Sequence, residues 1–165
     1  MTFITRVIEP NHRLDTFDCG NTQLNEWLVH EARRAQEHQI AHVTVWCHED
    51  DDRVLAYHAI MPTSIRRDDL TNHQRRGQSV VPGYLIAKLA VDRTVQGQKV
   101  GSSVLLQALE LIEEASMAVG GRLVVVDPVD EAAAAFYRHH GFVLTAKTGR
   151  LALELSAVRQ LLRSD

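Results

Sequence analysis

Apolar and polar positions form their clearest pattern between residues 84 and 119. Residues 84–91 are a short, mostly apolar run flanked by turn-forming residues, which predicts a buried β-strand. After a polar turn and a glycine-containing loop, apolar residues recur at helical spacing from Val104 to Val119, which predicts a long amphipathic helix. The loop over residues 96–102 therefore joins the end of a buried strand to the first turn of a helix.

The remaining patterns predict an alternation of strands and helices. A helix is expected to begin at a cap, Asn21 or Thr22, and an alanine-rich helix is expected to end at Gly141. Polar residues 66–79 are expected to form a loop or short helix, and residues 156–162 a terminal helical turn. Strands are expected over residues 2–8 at a sheet edge, 42–48, 54–63, 84–91, 122–127, 142–145 and 150–155. This order predicts an α/β fold with a single domain over residues 1–165.

Composition and charge exclude several classes of protein. The chain has no run of roughly 18 uncharged apolar residues and no apolar signal region, so we expect a cytoplasmic protein without a membrane segment. Cys19 and Cys47 are far apart in the sequence, which fits reduced thiols. Because the net charge is −3, any nucleic-acid binding must use a local basic patch.

The loop over residues 96–102 has the position of an anion-binding site. N–H groups at a helix N-terminus point outward and the helix dipole favours negative charge there, so phosphate is a common occupant. No Gly-Lys-Ser/Thr ends the loop, which excludes a Walker loop, and it lacks the Gly-x-Gly-x-x-Gly of dinucleotide-binding folds. An ordinary strand-to-helix turn without a ligand is the alternative that the loop alone leaves open.

Two sequence motifs resemble those of the GNAT acyltransferases. Residues 96–101 resemble their pyrophosphate loop, Gln/Arg-x-x-Gly-x-Gly/Ala, although Lys99 stands where that pattern has glycine. This departure matters if the position needs a positive φ. Residues 130–142, with Ala-x-x-Phe-Tyr-x-x-x-Gly-Phe, resemble the last conserved segment of the family. The resemblance implies the GNAT fold, a mixed and mostly antiparallel central sheet flanked by helices, with acetyl-CoA in the cleft where strands 4 and 5 splay apart.

The same resemblance implies which residues bind acetyl-CoA, the expected co-substrate. Backbone groups of Leu89, Ala90 and Val91 are expected to pair with the pantetheine arm and to polarise the thioester carbonyl. Main-chain N–H groups of the loop are expected to hold the pyrophosphate. The loop residues are Gln96, Gly97, Gln98, Lys99, Val100, Gly101 and Ser102. No metal is expected, because the nine histidines form neither His-Glu-x-x-His nor a cluster at zinc spacing.

Tyr137 is the expected catalytic acid, because it occupies the position of the family's tyrosine. A phenol with a pKa of ~10 can protonate a departing thiolate with a pKa of ~8.5 at a cost of about 2 kcal/mol. The acceptor needs no strong base, since an α-amino group with a pKa of about 7.7–8.0 is partly neutral at pH 7. The alternative is that Tyr137 is a packing residue with its hydroxyl at the surface. Phe136 is expected to face the core.

The N-terminal half is similar to that of the GNAT toxins of bacterial toxin–antitoxin pairs. The similarity lies in Phe-Asp-Cys-Gly-x-x-x-Leu-Asn-x-Trp-Leu at residues 17–28, in the arginine-containing helix after it, and in Leu-Ala-Val-Asp at residues 89–92. It implies acetylation of the α-amino group of aminoacyl-tRNA, which blocks translation, and it implies a ribbon-helix-helix antitoxin and a homodimer. The residues expected to contact tRNA are Arg33, Arg34, Arg75, Arg76 and Arg93.

Two other functions are compatible with these residues. A GNAT enzyme that acetylates a small amine, a polyamine or a protein N-terminus would have the same catalytic half. A basic surface beside the acetyl group favours tRNA, whereas a closed acidic pocket favours a small cationic amine. A non-catalytic acetyl-CoA-binding module is the third hypothesis, which the altered position Lys99 supports and the retained Tyr137 argues against.

Overall fold

The computed structural model describes residues 2–164, and a seven-stranded sheet is its central feature. The strands are β1 (Phe3–Val7), β2 (His42–His48), β3 (Ala56–Arg66), β4 (Val80–Val91), β5 (Leu123–Val126), β6 (Val143–Leu144) and β7 (Leu151–Glu154). Their order across the sheet is β1-β2-β3-β4-β5-β7-β6. β4 and β5 run parallel, whereas the pairs β1–β2, β2–β3, β5–β7 and β6–β7 are antiparallel. The predicted mixed, mostly antiparallel sheet is confirmed.

Helices alternate with these strands along the chain. They are α1 (Thr22–His30), α2 (Ala32–Glu37), α3 (Asn72–Arg75), α4 (Val100–Val119), α5 (Glu131–His139) and α6 (Leu155–Arg163), with 3-10 turns at Arg67–Asp69 and Arg93–Val95. Asn21 caps α1 as expected, because its side-chain oxygen accepts the Leu24 N–H at 3.0 Å. Within residues 2–164, no helix is both long enough and apolar enough to cross a membrane.

The chain divides into two compact units. The first comprises Met1–Met61 with Ala87–Ala108, and the second comprises Pro62–Ile86 with Leu109–Asp165. The single domain expected over residues 1–165 includes two terminal residues that lie outside the described part. Its boundary stays a prediction.

The core of the first unit consists of two clusters to which β2 contributes alternate residues. Val43 and Val45 are fully buried and belong to the cluster that contains Leu28 of α1. Trp46 belongs to the other cluster, together with Val104 of α4. This division follows from the strand geometry, because successive side chains of a strand point to opposite faces of the sheet.

The core of the second unit lies along the parallel pair of β4 and β5. Leu123 and Val125 of β5 are fully buried and pack with Ile65 and Ala152. Gly83 of β4 allows this close approach, because a Cβ atom at that position would lie 2.4 Å from the Leu123 carbonyl oxygen. A larger residue at position 83 would therefore push β4 away from β5.

The predicted hairpins are confirmed, but several element boundaries differ from the prediction, and β3 continues to Arg66 instead of ending at residue 63. The acidic residues 49–52 connect the antiparallel strands β2 and β3, and β6 pairs with β7 in the closing hairpin. The helix that begins after Asn21 ends at His30, and α2 begins at Ala32, because Glu31 between them has a φ of −119°, which departs from helical geometry. β4 begins at Val80 instead of Tyr84. This early start could not be predicted because proline lacks an N–H group and is rarely found inside a strand that is not at the edge of a sheet, and Pro82 lies in this segment.

Candidate functional site

β4 extends beyond its partner strand towards the loop that the sequence analysis singled out. The β4–β5 ladder runs from Gly83↔Leu123 to Ile86↔Val126, and β4 then continues to Val91. The splay of strands 4 and 5 expected from the sequence is consistent with this short ladder. Residues 89–91, which were expected to bind the pantetheine arm, lie in the part of β4 beyond the ladder.

Asp92 fixes the turn that follows β4. Its buried carboxylate accepts hydrogen bonds from the Thr94 N–H at 2.9 Å, from the Thr94 hydroxyl at 2.7 Å and from the Asp18 N–H at 2.9 Å. Burial raises the pKa of Asp92, but these hydrogen bonds and the Arg53 guanidinium, 3.6 Å away, outweigh it and hold the pKa below its ordinary value. The carboxylate is therefore charged at neutral pH.

Gln96 opens the loop, and its side chain is bound to the protein's own backbone. The Gln96 Nε2 donates to the Val91 carbonyl oxygen at 2.8 Å and to the Cys19 carbonyl oxygen at 3.0 Å. Both amide protons are therefore used within the first unit. Any contact of Gln96 with a phosphate must come from its main chain, as the sequence analysis expected.

Gly97 and Lys99 give the loop a left-handed backbone. Gly97 has a φ of +79° and Lys99 a φ of +62°, and both residues are exposed. Lys99 adopts this conformation at a cost of roughly 1–2 kcal/mol for a residue with a Cβ atom. Lys99 therefore has the positive φ that makes its departure from the glycine of the motif matter. The residue adds an ammonium group just before α4.

Buried side chains hold α4 in the core of the first unit from its first turn onwards, and a contact with a buried histidine of β3 adds to this packing. Val100, Val104 and Leu105 are buried. His58 of β3 is fully buried, and its Nε2 lies 2.5 Å from the Oε1 atom of Gln107 in α4. Burial lowers the pKa of His58 to about 4, so the imidazole is neutral at pH 7. No local sequence pattern reveals this pair, because its members are 49 positions apart.

Tyr137 lies in α5, within the second unit. The Asp130 side chain caps this helix by accepting the Ala133 N–H at 2.8 Å. Tyr137 is 7% exposed, and its ring packs edge-on against Phe136 and Phe142 with centroid separations of 5.3 and 5.4 Å. Burial raises the pKa of the phenol, so its hydroxyl is protonated at neutral pH.

Phe136 does not occupy the core position that the sequence analysis gave it. Phe136 is only partly buried, whereas Tyr137 is buried. Consecutive residues of an α-helix point about 100° apart. The orientation of α5 that buries Tyr137 therefore leaves Phe136 partly exposed to solvent. The expectation for Phe136 was therefore wrong.

The expected tRNA-contacting arginines of the first unit differ in how firmly the protein already holds them. Arg33 donates to the carbonyl oxygens of residues 9, 10 and 12 at 3.3, 3.3 and 2.5 Å. Arg34 pairs with Glu31 at 2.6 Å, and Arg93 lies 3.6 Å from Asp18, both in exposed positions. Arg33 thus stabilises the segment over residues 9–12. Arg34 and Arg93 are in surface ion pairs, and replacing the carboxylate partner of such a pair by another anion costs little free energy.

The two expected arginines of the second unit lie at the end of α3. Arg75 donates to the side chain of Asn72, and Arg76 pairs with Glu154 at 3.1 Å. Arg122 lies 3.4 Å from the same carboxylate, so one acid faces two guanidinium groups. Arg76 and Arg122 together therefore carry one more positive charge than the Glu154 carboxylate neutralises.

Two further features of the described residues concern ligands: whether they include a metal-binding group, and whether they form a cavity that could hold a small amine. Within residues 2–164, no group of three or more His, Cys, Asp or Glu side chains could hold a metal ion. A cavity of about 480 Å³ beside β1 and β2 is acidic, and its lining includes Glu9 and residues 49–52. None of residues 89–102 lines this cavity.

The sequence of the chain is similar to that of acetyltransferases. The family profile described as acetyltransferase (GNAT) domain matches residues 41–144. A tRNA-acetylating toxin of Mycobacterium tuberculosis is 30% identical over 131 residues, which cover 79% of this chain and 78% of that protein. The matched profile region includes residues 89–102 and Tyr137.

The fold is similar to solved structures of the toxin AtaT. The structure of AtaT complexed with acetyl-methionyl-tRNAfMet has a TM-score of 0.88 at 23% identity and covers 98% of this chain and 99% of that one. A tyrosine-to-phenylalanine mutant of AtaT bound to the C-terminus of the antitoxin AtaR and to acetyl-CoA has a TM-score of 0.84 at 23% identity and covers 99% of both chains. At this level of identity, the likeness establishes a common fold.

Proposed function

The chain belongs to the GNAT acetyltransferase family, and from this premise we propose that it transfers the acetyl group of acetyl-CoA to the α-amino group of aminoacyl-tRNA. An acetylated aminoacyl-tRNA cannot serve as an acceptor in peptide-bond formation, so the protein acts as a translation-blocking toxin. The observation that carries the proposal is the 30% identity, over 79% of the chain, to a tRNA-acetylating toxin. The toxin-like segments at residues 17–28 and 89–92 support the same function.

The loop over residues 96–102 has the features that a pyrophosphate requires. It precedes the 20-residue helix α4, whose first N–H groups and dipole favour an anion. A Cβ atom at Gly97 would have no heavy atom within 4 Å, so the backbone there is open to a ligand. We assign the pyrophosphate to the main-chain N–H groups of this loop and to the ammonium group of Lys99.

The end of β4 is assigned to the pantetheine arm and the thioester. Acetyl-CoA supplies an activated acyl group when it is bound. The backbone N–H and carbonyl groups of Leu89, Ala90 and Val91 are assigned to pairing with the arm, and the Val91 carbonyl oxygen also accepts one hydrogen bond from Gln96. One of these N–H groups polarises the thioester carbonyl.

Tyr137 is assigned as the general acid. The acceptor nitrogen forms a bond to the carbonyl carbon, the carbon–sulfur bond breaks, and the sulfur receives the phenolic proton. The amine loses a proton to water, and water supplies a proton to the Tyr137 phenolate, which restores the phenol. Burial raises the pKa of Tyr137, so this transfer costs more than the roughly 2 kcal/mol of an unperturbed phenol. A charge-assisted hydrogen bond from the phenol to the developing thiolate offsets that cost.

The tRNA is assigned to the exposed arginines. Arg34, Arg76 and Arg93 each exchange a carboxylate partner for a phosphate when tRNA binds, and Arg75 adds a further charge. Arg33 contributes indirectly, because its guanidinium is bound to three carbonyl oxygens. A chain with a net charge of −3 needs such positively charged side chains to bind a polyanion.

We further propose the setting in which this activity operates. The protein acts in the cytoplasm, forms a homodimer, and is neutralised by an antitoxin of the ribbon-helix-helix class. The AtaT structure bound to the C-terminus of the antitoxin AtaR supports an antitoxin partner. The class of the antitoxin and the homodimer rest on the resemblance of the N-terminal half to toxins of this kind.

The small-amine alternative draws no support from the acidic cavity. That cavity would suit a polyamine by its charge, but its lining residues do not include any of residues 89–102. The non-catalytic alternative rested on Lys99, and this residue adopts a left-handed backbone, with a φ of +62°, in spite of its side chain. We therefore retain aminoacyl-tRNA acetylation as the function.

The experiment that tests the proposal uses the purified protein with acetyl-CoA and charged tRNA. Thiol release and the mass of the aminoacyl-adenosine after nuclease digestion report acetyl transfer. We expect acetylated aminoacyl-adenosine with the wild type and a strongly reduced amount with Tyr137→Phe. Acetyl transfer to spermidine or to a peptide N-terminus, with none to charged tRNA, would overturn the proposed substrate.

A further inference from the structure

The carboxamide of Gln96 joins two segments that are far apart in the sequence. Its Nε2 donates to the carbonyl oxygen of Val91, the last residue of β4, and to that of Cys19, 77 positions earlier. These distances, 2.8 and 3.0 Å, are those of well-formed hydrogen bonds. The side chain thereby ties the first residue of the loop to the segment over residues 17–20.

Two further hydrogen bonds join the same segment to the turn before the loop. The Asp18 N–H donates to the Asp92 carboxylate at 2.9 Å, and the Arg93 N–H donates to the Asp18 carbonyl oxygen at 2.8 Å. With the bond from Gln96 to Cys19, three hydrogen bonds connect residues 18–19 to residues 92–96. The turn cannot move relative to segment 17–20 without breaking them.

Segment 17–20 is itself held rigidly. The Asp18 carboxylate accepts the Gly20 N–H at 2.9 Å and the Asn25 side-chain amide at 3.1 Å. The Cys19 N–H donates to the Asn25 side-chain oxygen at 2.9 Å. Phe17 is buried in the core of the first unit. The segment is therefore a fixed point against which the loop can be oriented.

We propose that Gln96 is a positioning residue that holds the loop over residues 96–102 in its anion-binding conformation by clamping it to segment 17–20. The inference rests on the proposed function of that loop and goes beyond it. Gln96 raises the affinity for acetyl-CoA without touching the phosphates through its side chain. Segment 17–20 thereby becomes part of the machinery that binds the acetyl donor.

The expected effect follows from the population of the competent loop. When only a fraction of the molecules has the binding conformation, the apparent Kd rises by the inverse of that fraction. Two hydrogen bonds of ordinary strength are lost when the carboxamide is removed. We expect the competent fraction to fall to about a tenth, so the KM for acetyl-CoA rises about tenfold while kcat changes less than twofold.

The test compares three variants with the wild type. Gln96→Leu removes both donors at similar size, and Gln96→Arg restores donors with the reach for both carbonyls. Gln36→Leu is the matched structural control, since the Gln36 side chain also bonds a backbone group in the first unit, accepting the Val43 N–H at 2.7 Å. The readouts are the KM and kcat for acetyl-CoA with charged tRNA, the Kd for acetyl-CoA by calorimetry, and amide hydrogen exchange of the free protein over residues 92–102.

The expected result is a raised KM and Kd, with faster exchange over residues 92–102, in Gln96→Leu but not in Gln96→Arg or Gln36→Leu. An unchanged Kd for acetyl-CoA in folded Gln96→Leu overturns the proposal, and so does an equal rise in Gln36→Leu. If Gln96→Leu does not fold, Gln96→Met takes its place, because it removes both donors at similar length without adding a charge beside the loop. A wild type that does not bind acetyl-CoA would instead refute the proposed function of the loop.

Discussion

Lys99 combines a left-handed backbone and an exposed ammonium group, and two substitutions separate them. Lys99→Ala removes the charge and keeps the φ of +62°, whereas Lys99→Gly removes the charge and the strain. The strain destabilises the folded Lys99→Ala protein by roughly 1–2 kcal/mol relative to glycine. The greater conformational freedom of glycine in the unfolded chain lowers the stability of Lys99→Gly by about 0.5–1 kcal/mol. We therefore expect Lys99→Gly to be more stable than Lys99→Ala by about 1 kcal/mol.

The charge of Lys99 has a separate effect on acetyl-CoA. A unit charge at about 5 Å from a phosphate contributes about 0.8 kcal/mol in water and about 3 kcal/mol at an effective dielectric constant of about 20. Because Lys99 is exposed, we take about 1–2 kcal/mol. Both substitutions are then expected to weaken acetyl-CoA binding roughly 5- to 30-fold, and this loss shrinks as salt is raised.

Calorimetry with acetyl-CoA at ~0.05 and ~0.5 M NaCl measures the charge effect, and thermal unfolding of the free proteins measures the strain. For a domain of this size, 1 kcal/mol corresponds to a Tm difference of about 2–4 °C. Lys147→Ala, at an exposed lysine of the second unit, is the control for the loss of one positive charge. A wild-type Kd in Lys99→Ala would refute the role of the ammonium group. A Tm that is higher for Lys99→Ala than for Lys99→Gly would refute the strain.

Three further predictions follow from the site. Tyr137→Phe keeps the ring in its packed position, so acetyl-CoA binding is retained while kcat falls about 10²–10⁴-fold, and wild-type turnover would return Tyr137 to a packing role. Burial lowers the pKa of His58 to about 4 from about 6.5 in the unfolded chain, so stability falls by up to about 3 kcal/mol as the pH drops from 6.5 to 4. Denaturant titrations of His58→Gln should show a shallower pH dependence over that range, and equal slopes would contradict the assignment. Arg34→Glu should raise the KM for charged tRNA with little change in stability, whereas Arg33→Glu should lower the Tm, and the opposite pattern would reverse the roles given to the two arginines.

Local sequence signals predicted the backbone of the site well. The Asn21 cap, the loop between β4 and α4 and the α5 segment each depend on neighbouring residues, and each lies where the pattern put it. The strained position was also predictable, because Lys99 replaces a glycine of the motif and glycine marks a need for positive φ.

The side-chain environment of the site could not be predicted in the same way. Gln96 meets the Cys19 carbonyl oxygen across 77 positions, and Arg33 meets the His12 carbonyl oxygen across 21. Such contacts follow from tertiary packing, which leaves no periodic trace in the sequence. The placement of Phe136 failed for a related reason, because the composition of α5 does not reveal which of two adjacent aromatic residues faces inward.

Mass spectrometry of charged tRNA measures acetylation of the α-amino group of aminoacyl-tRNA directly. The purified protein is incubated with isotope-labelled acetyl-CoA, a full set of charged tRNAs, spermidine and a peptide with a free N-terminus, and the aminoacyl-adenosines are released by nuclease. The account predicts labelled acetyl on the amino group of one or more aminoacyl-adenosines, lost with Tyr137→Phe. Labelled polyamine or peptide without any labelled aminoacyl-adenosine, from protein that binds acetyl-CoA, would contradict it.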